Sequence, residues 1–144
     1  MKAVLIDSVN RVVRDIEIAD GDNSLAEMQQ IVGGNIECAW YSPDYVHVPA
    51  GESSQDTIMA NEEGLFKPEI HACFSIRGAN QWFAGNGVLV GCNDEGDTVS
   101  CRLSAKDLIA YGIRFSELAI VTLLRAYDMK AVFESDFFPS PDAG

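Results

Sequence analysis

Basic residues are scarce in this chain of 144 residues: ten Lys and Arg stand against 22 Asp and Glu, a formal net charge of −12. Duplex nucleic acid is bound through Lys and Arg that neutralise phosphates, so a direct nucleic-acid partner is not expected. Histidine is scarcer still. His47 and His71 are the only two, and neither has a Ser/Asp or Cys/Asn pattern near it. Histidine is the usual acid–base group, so no catalytic residue is assigned and the chain reads as non-enzymatic. Long apolar runs are missing as well. The N-terminal run Ala3–Ile6 stops at Asp7, short of the roughly 7–15 residues of a signal h-region. Leu118–Leu124 falls far short of the about 20 residues of a membrane span. The expectation is a soluble, cytoplasmic protein with no membrane contact.

Cysteine patterning excludes more. Cys38, Cys73, Cys92 and Cys101 contain no C-x-x-C, so no local zinc motif exists. With no route to an oxidising compartment, free thiols are expected. Asp20-Gly21-Asp22 opens like a calcium loop, but Leu25 stands where the turn glycine belongs and Ile31 where the bidentate glutamate belongs. Gly85-Asn86-Gly87 precedes the strand-like Val88-Leu89-Val90 rather than a helix, which suits a turn or bulge and not a phosphate-binding loop. No metal or cofactor is expected.

What is present is an ordinary globular balance, 47% hydrophobic and 22% charged. That length suits one domain. Lys2–Asp7 and Val12–Ile18 read as two strands of a hairpin, with Val12, Ile16 and Ile18 on one face. Ser24-Leu25-Ala26-Glu27 reads as a capping box opening a helix that ends at Gly33-Gly34. From Asn35 to Leu103 the pattern is β. Ile36, Cys38 and Trp40 alternate on one face, a short strand covers Tyr45–Val48, and Gly51–Asp56 is a polar loop. Thr57–Ala60, Ala72–Ile76, Trp82–Cys92 and Val99–Leu103 follow, with a turn at Asn93–Asp97. Ser104-Ala105-Lys106-Asp107 opens a short helix that stops at Gly112, and Leu118–Tyr127 reads as either a helix or a buried strand, the helix being favoured because Glu117, Arg125 and Lys130 sit where its dipole wants them. The fold class is α+β: a largely antiparallel sheet with two or three helices in a single domain over residues 1–134, and a loosely ordered tail over 135–144.

Several short motifs recur in a familiar order: Leu25, the junction Val32-Gly33-Gly34-Asn35-Ile36-Glu37, then Asn61-Glu62-Glu63-Gly64, Gly87-Val88-Leu89-Val90-Gly91 followed by Asp94 and Gly96, and Leu103-Ser104. Over about residues 1–115 the chain resembles the domain of unknown function 3846 family, small proteins often found in phages, plasmids and other mobile elements. The resemblance implies no catalytic or cofactor residues. It implies an accessory role in a mobile element, such as interference with host defence or host enzymes. Residues from Ile113 onward read as an addition to the family pattern.

The uneven feature is charge. Residues 15–66 hold eleven acids and no base, whereas the rest of the chain is nearly neutral, with eleven acids against ten bases. The same stretch carries Trp40, Tyr41 and Tyr45, residue types that anchor interfaces. The candidate partner-binding residues are therefore Asp20, Asp22, Trp40, Tyr41, Tyr45, Glu52, Asp56, Glu62 and Glu63, forming an acidic face for a basic host protein and acting as an inhibitor or nucleic-acid mimic. Two alternatives stand beside it. One is a nucleotide-binding or sequestering protein using Arg77, Arg102 and Arg114, with Trp82 free to stack. The other is a solvated acidic surface with no docking role.

Overall fold

The computed structural model describes residues 1–43, 55–62, 70–79 and 81–119. The apolar run near the N-terminus forms β1 (Lys2–Asp7), which turns back antiparallel into β2 (Val12–Glu17) with Asp7 opposite Val12. Helix α1 (Asn23–Val32) follows, then β3 (Ile36–Tyr41) and β4 (Gln55–Asn61). Next come β5 (Ile70–Ile76), the two-residue β6 (Phe83–Ala84), β7 (Gly87–Cys92) and β8 (Thr98–Val99). Helix α2 (Ala105–Gly112) runs directly into β9 (Ile113–Ala119). The class is α+β, and every strand pairing among the described residues is antiparallel.

Two sheets result. The larger runs β2-β1-β7-β4-β3, with β8 on β7, and the smaller runs β6-β5-β9. The central strands of the larger sheet read as unbroken apolar runs because both of their faces are covered. On one face Ala3, Val88 and Val90 pack with Ile18 and with Met28 and Val32 of α1. On the other, Val4, Ile6, Ile58 and Leu89 meet Phe74, Phe83, Ile113 and Phe115 of the smaller sheet and Leu108 of α2. The order of layers is thus α1, large sheet, then small sheet with α2.

Several local expectations are corrected. Ile36, Cys38 and Trp40 do not share a face. The register of β3 on β4 shifts between Cys38 and Trp40, and this bulge turns Ala39 and Trp40 together into the core that holds Phe74. Ile36 stays on the α1 side. Asp56 lies inside β4, not in a loop. The expected strand Val99–Leu103 ends at Val99, because the Cys101 N–H goes to the Lys2 carbonyl and the next two N–H groups go to a carboxylate. Ile16 and Ile18 do share the α1-side face as expected, although Val12 and Ile16 are half-buried there, and Val13 on the other face is fully buried. The helix expected over Leu118–Tyr127 begins wrongly: Leu118 and Ala119 belong to β9. Pairing with β5 and burial of Ile113 and Phe115 decide that strand. Residues 120–127, the strand expected at Tyr45–Val48 and the tail at 135–144 lie outside the described residues.

The two helix starts differ. Ser104 caps α2 as expected: its Oγ accepts from Asp107 N–H at 3.2 Å, and an Asp107 oxygen accepts from Ser104 N–H at 2.9 Å. At α1 the expected box does not form. Asp22 occupies the N-cap without a side-chain cap bond. Ser24 Oγ instead donates to the Gly21 carbonyl, and Glu27 accepts from Ala19 N–H at 2.6 Å. Gly21, at φ 64°, turns the chain so that the N-cap falls at Asp22, two residues before Ser24.

Candidate functional site

Asp56 is the most deeply buried acid among the described residues. Its side chain points into the core side of β4 and the residue is 2% exposed. Its carboxylate accepts from Arg102 N–H at 2.9 Å and from Leu103 N–H at 2.8 Å. Ser42 closes the other side: its Oγ accepts from Asp56 N–H, and its N–H donates to the Asp56 carbonyl. Asp15 performs the same service one step on, accepting from Ala105 N–H at 2.9 Å. Together Asp56, Asp107 and Asp15 take four successive N–H groups, residues 102–105, where the chain enters α2. A helix start presents such unmade donors and a positive dipole end, so these carboxylates build the fold. Asp56 is therefore withdrawn from the partner-facing set. Nearby, burial first and the Asp56 carboxylate second push the Cys101 thiol up to about 12, and its Sγ donates to the Leu103 carbonyl.

The remaining acids divide between two places. Asp20 and Asp22 are exposed where β2 hands over to α1, and Asp20 Oδ1 lies 2.9 Å from the Met1 amine. Glu37 and Glu62 are exposed at the opposite edge of the large sheet, on β3 and just past β4. Partial burial, and then the neighbouring Glu62 charge, raise the Glu37 carboxyl above the usual glutamate range. Those two edges are separated by three strands, β1, β7 and β4, at about 4.8 Å per step. The described acids of residues 15–62 thus form no single face. Tyr45, Glu52 and Glu63 lie outside the described residues, as do His47 and the side chain of His71.

The two aromatics of β3 part company. Trp40 is 8% exposed, with its ring 5.3 Å from that of Tyr111, whereas Tyr41 is 50% exposed. Tyr41 alone of that pair can meet a partner. The Tyr41 phenol is held above its ordinary range, first by a hydrogen bond with Cys38.

The alternative ligand set is also rearranged. Trp82 is 5% exposed and the Arg114 guanidinium sits over its ring at 5.2 Å. Arg77 lies over Tyr111 at 5.9 Å. The expectation that Trp82 is free to stack on a base is corrected: Arg114 already stands over it. Arg102 enters α2's approach through its backbone and does not join Arg77 or Arg114 in any described contact.

All four cysteines carry thiols. Among the described residues no group of three or more His, Cys, Asp and Glu is placed to hold a metal ion. No helix among them is long and apolar enough to cross a membrane.

A family model described as domain of unknown function (DUF3846) matches residues 1–111. The chain belongs to this family. No curated protein and no solved structure matches it. The DUF3846 match ends one residue before Gly112, yet β9, which follows at once, pairs with β5 along seven residues and places Ile113 and Phe115 in the core. Residues 113–119 of the segment read as an addition are an integral strand.

The contribution of Asp15 and Asp56 has no local signature. Asp15 reaches a partner 90 positions away and Asp56 one 46 positions away. Asp107 alone was detectable, standing three residues after a serine cap.

Proposed function

We propose that this DUF3846 protein is a non-enzymatic cytoplasmic accessory protein of a mobile element, and that it binds a basic host protein through the exposed carboxylates at the β3 edge. The observation that carries this reading is the Glu37–Glu62 pair. Two exposed carboxylates stand close enough for one to raise the other's protonation, in a stretch of sequence with no Lys or Arg between Arg14 and Lys67. A cationic partner relieves that repulsion. Nucleotide sequestration is less favoured, because Trp82 is buried under the Arg114 guanidinium and Arg77 lies over Tyr111.

The test compares the parent with a Glu37→Lys, Glu62→Lys variant in capture from host lysate, followed by titration with the purified captured protein. Both residues are exposed and neither side chain holds a backbone group, so the fold tolerates the change. Screening shortens from about 10 Å at 0.1 M salt to about 3 Å at 1 M. Binding is expected to weaken steeply over that range and to be lost in the variant. Capture of no partner, or of one that binds both proteins equally at every salt concentration, overturns the reading.

A further inference from the structure

β3 lies at one end of the large sheet and, among the described residues, pairs with β4 alone. The ends of that ladder fix which backbone groups it uses. The Asn35 carbonyl accepts from Glu62 N–H at 3.1 Å, and Ser42 N–H donates to the Asp56 carbonyl at 2.8 Å. Backbone groups alternate sides along an antiparallel strand. From each end toward the bulge, this points the backbone of Glu37 and Trp40 at β4, and the N–H and carbonyl groups of Ile36, Cys38 and Tyr41 away from it. Among the described residues nothing bonds to those outward groups. Asn35, Glu37, Cys38 and Tyr41 are also exposed. The opposite end of the sheet differs: Asp15 of β2 holds the Ala105 N–H of α2, and Arg14 beside it is basic. An open strand edge is a template for a further strand. We propose that an extended basic segment of the partner adds to β3 as a further strand of the large sheet. This rests on the acidic docking reading above and states how that partner is held. Glu37 stands opposite Ala60, which packs in the core shared with the small sheet, so Glu37 leaves the sheet on that face. Cys38 and Tyr41, opposite Met59 and Thr57, leave the other face. A strand added about 4.8 Å away sets its alternate residues beside these, Lys or Arg at Glu37 and apolar residues at Cys38 and Tyr41. A second copy of this chain offers no such match, because its residues 15–66 hold no base. The bulge after Cys38 bends the edge, which confines the pairing to a short stretch around Ile36 and Cys38.

The probe is a blocked synthetic peptide of alternating Lys and Val, added to the full chain and followed by NMR amide hydrogen exchange. At saturation the exchange of Ile36 and Cys38 N–H is expected to slow about tenfold or more, as for amides newly bonded in a sheet. Cys38→Pro deletes one outward N–H at an edge position, where proline is tolerated. It is expected to weaken peptide binding about tenfold, the upper value of one backbone hydrogen bond. Cys38→Ser keeps the N–H and is expected to bind like the parent. Should Cys38→Pro fail to fold, the exchange data on the parent decide alone. No binding of the peptide at low salt overturns the strand addition. So does protection of the same amides in the free protein that grows with its concentration, which assigns the edge to a second copy. Binding that is lost in Glu37→Lys, Glu62→Lys but never slows exchange at Ile36 and Cys38 also overturns it, and leaves the docking reading standing. Slowed exchange that the charge reversal does not alter overturns the docking reading, and with it the basic occupant.

Discussion

A carboxylate in a strand, 2% exposed, is costly unless it is bonded, and Asp56 is bonded by the backbone of residues 102 and 103. Removing it strands two N–H groups, the Leu103 one buried, each worth about 1–3 kcal/mol when left unmade. Asp56→Ala is therefore expected to lose about 3 kcal/mol in urea unfolding, and Asp56→Asn less, since one acceptor oxygen remains. An unchanged midpoint for Asp56→Ala would remove the structural role assigned here. Glu37 behaves oppositely. Its carboxyl is raised in the fold by burial and by Glu62, so the contribution to stability is full below the ordinary glutamate range and is lost as pH rises through the raised value. Glu62→Gln is expected to bring Glu37 down toward its ordinary range in an NMR titration. It is also expected to stabilise the protein at pH 7 by about 0.5 kcal/mol or less, the scale of exposed charge pairs. At pH 3, where Glu37 is protonated and carries no charge for residue 62 to repel, it should do nothing.

Elements carry the next level of explanation. The β3 bulge shows why alternation alone misassigns a face: one extra residue at Ala39 reverses the side of everything beyond it. Gly87, by contrast, opens β7 where the chain approaches the small sheet closely. A Cβ there meets Phe74 Cζ at 2.6 Å and Ile58 Cγ2 at 3.3 Å. Sequence reading assigned this glycine to a turn, but the left-handed residue of that turn is Gly85, at φ 82°. Gly87→Ala is expected to cost about 1–3 kcal/mol by overpacking, read as a lower Tm. A variant as stable as the parent would mean that Phe74 can move aside.

At the scale of the whole molecule, the core depends on residues that follow the DUF3846 match. Ile113 and Phe115 are 1% and 0% exposed and pack with Phe74, Leu89 and Leu108. Core truncations to Ala cost about 2–5 kcal/mol for Ile and about 3–5 for Phe, against a total stability of about 5–15 for a domain. An Ile113→Ala, Phe115→Ala chain is expected to lose cooperative unfolding and its near-UV circular dichroism. Retention of a sharp transition would show that the family-matched part folds without β9.

The α+β class, the hairpin β1–β2, the two helices and the α2 capping box were legible in the sequence, because hydrophobic period, caps and turn residues act over a few neighbours. The acidic bias of residues 15–66 was legible as composition, but not its distribution. Whether a carboxylate faces solvent, like Glu37 and Glu62, or ties down a helix start, like Asp15 and Asp56, depends on backbone donors tens of residues away. The same holds for Arg114 over Trp82 and for Cys38 against Met59, pairs made by strand register. Strand pairing brings together residues that no short window contains, so the tertiary structure alone decided which charged, aromatic and sulfur side chains remain available to a partner.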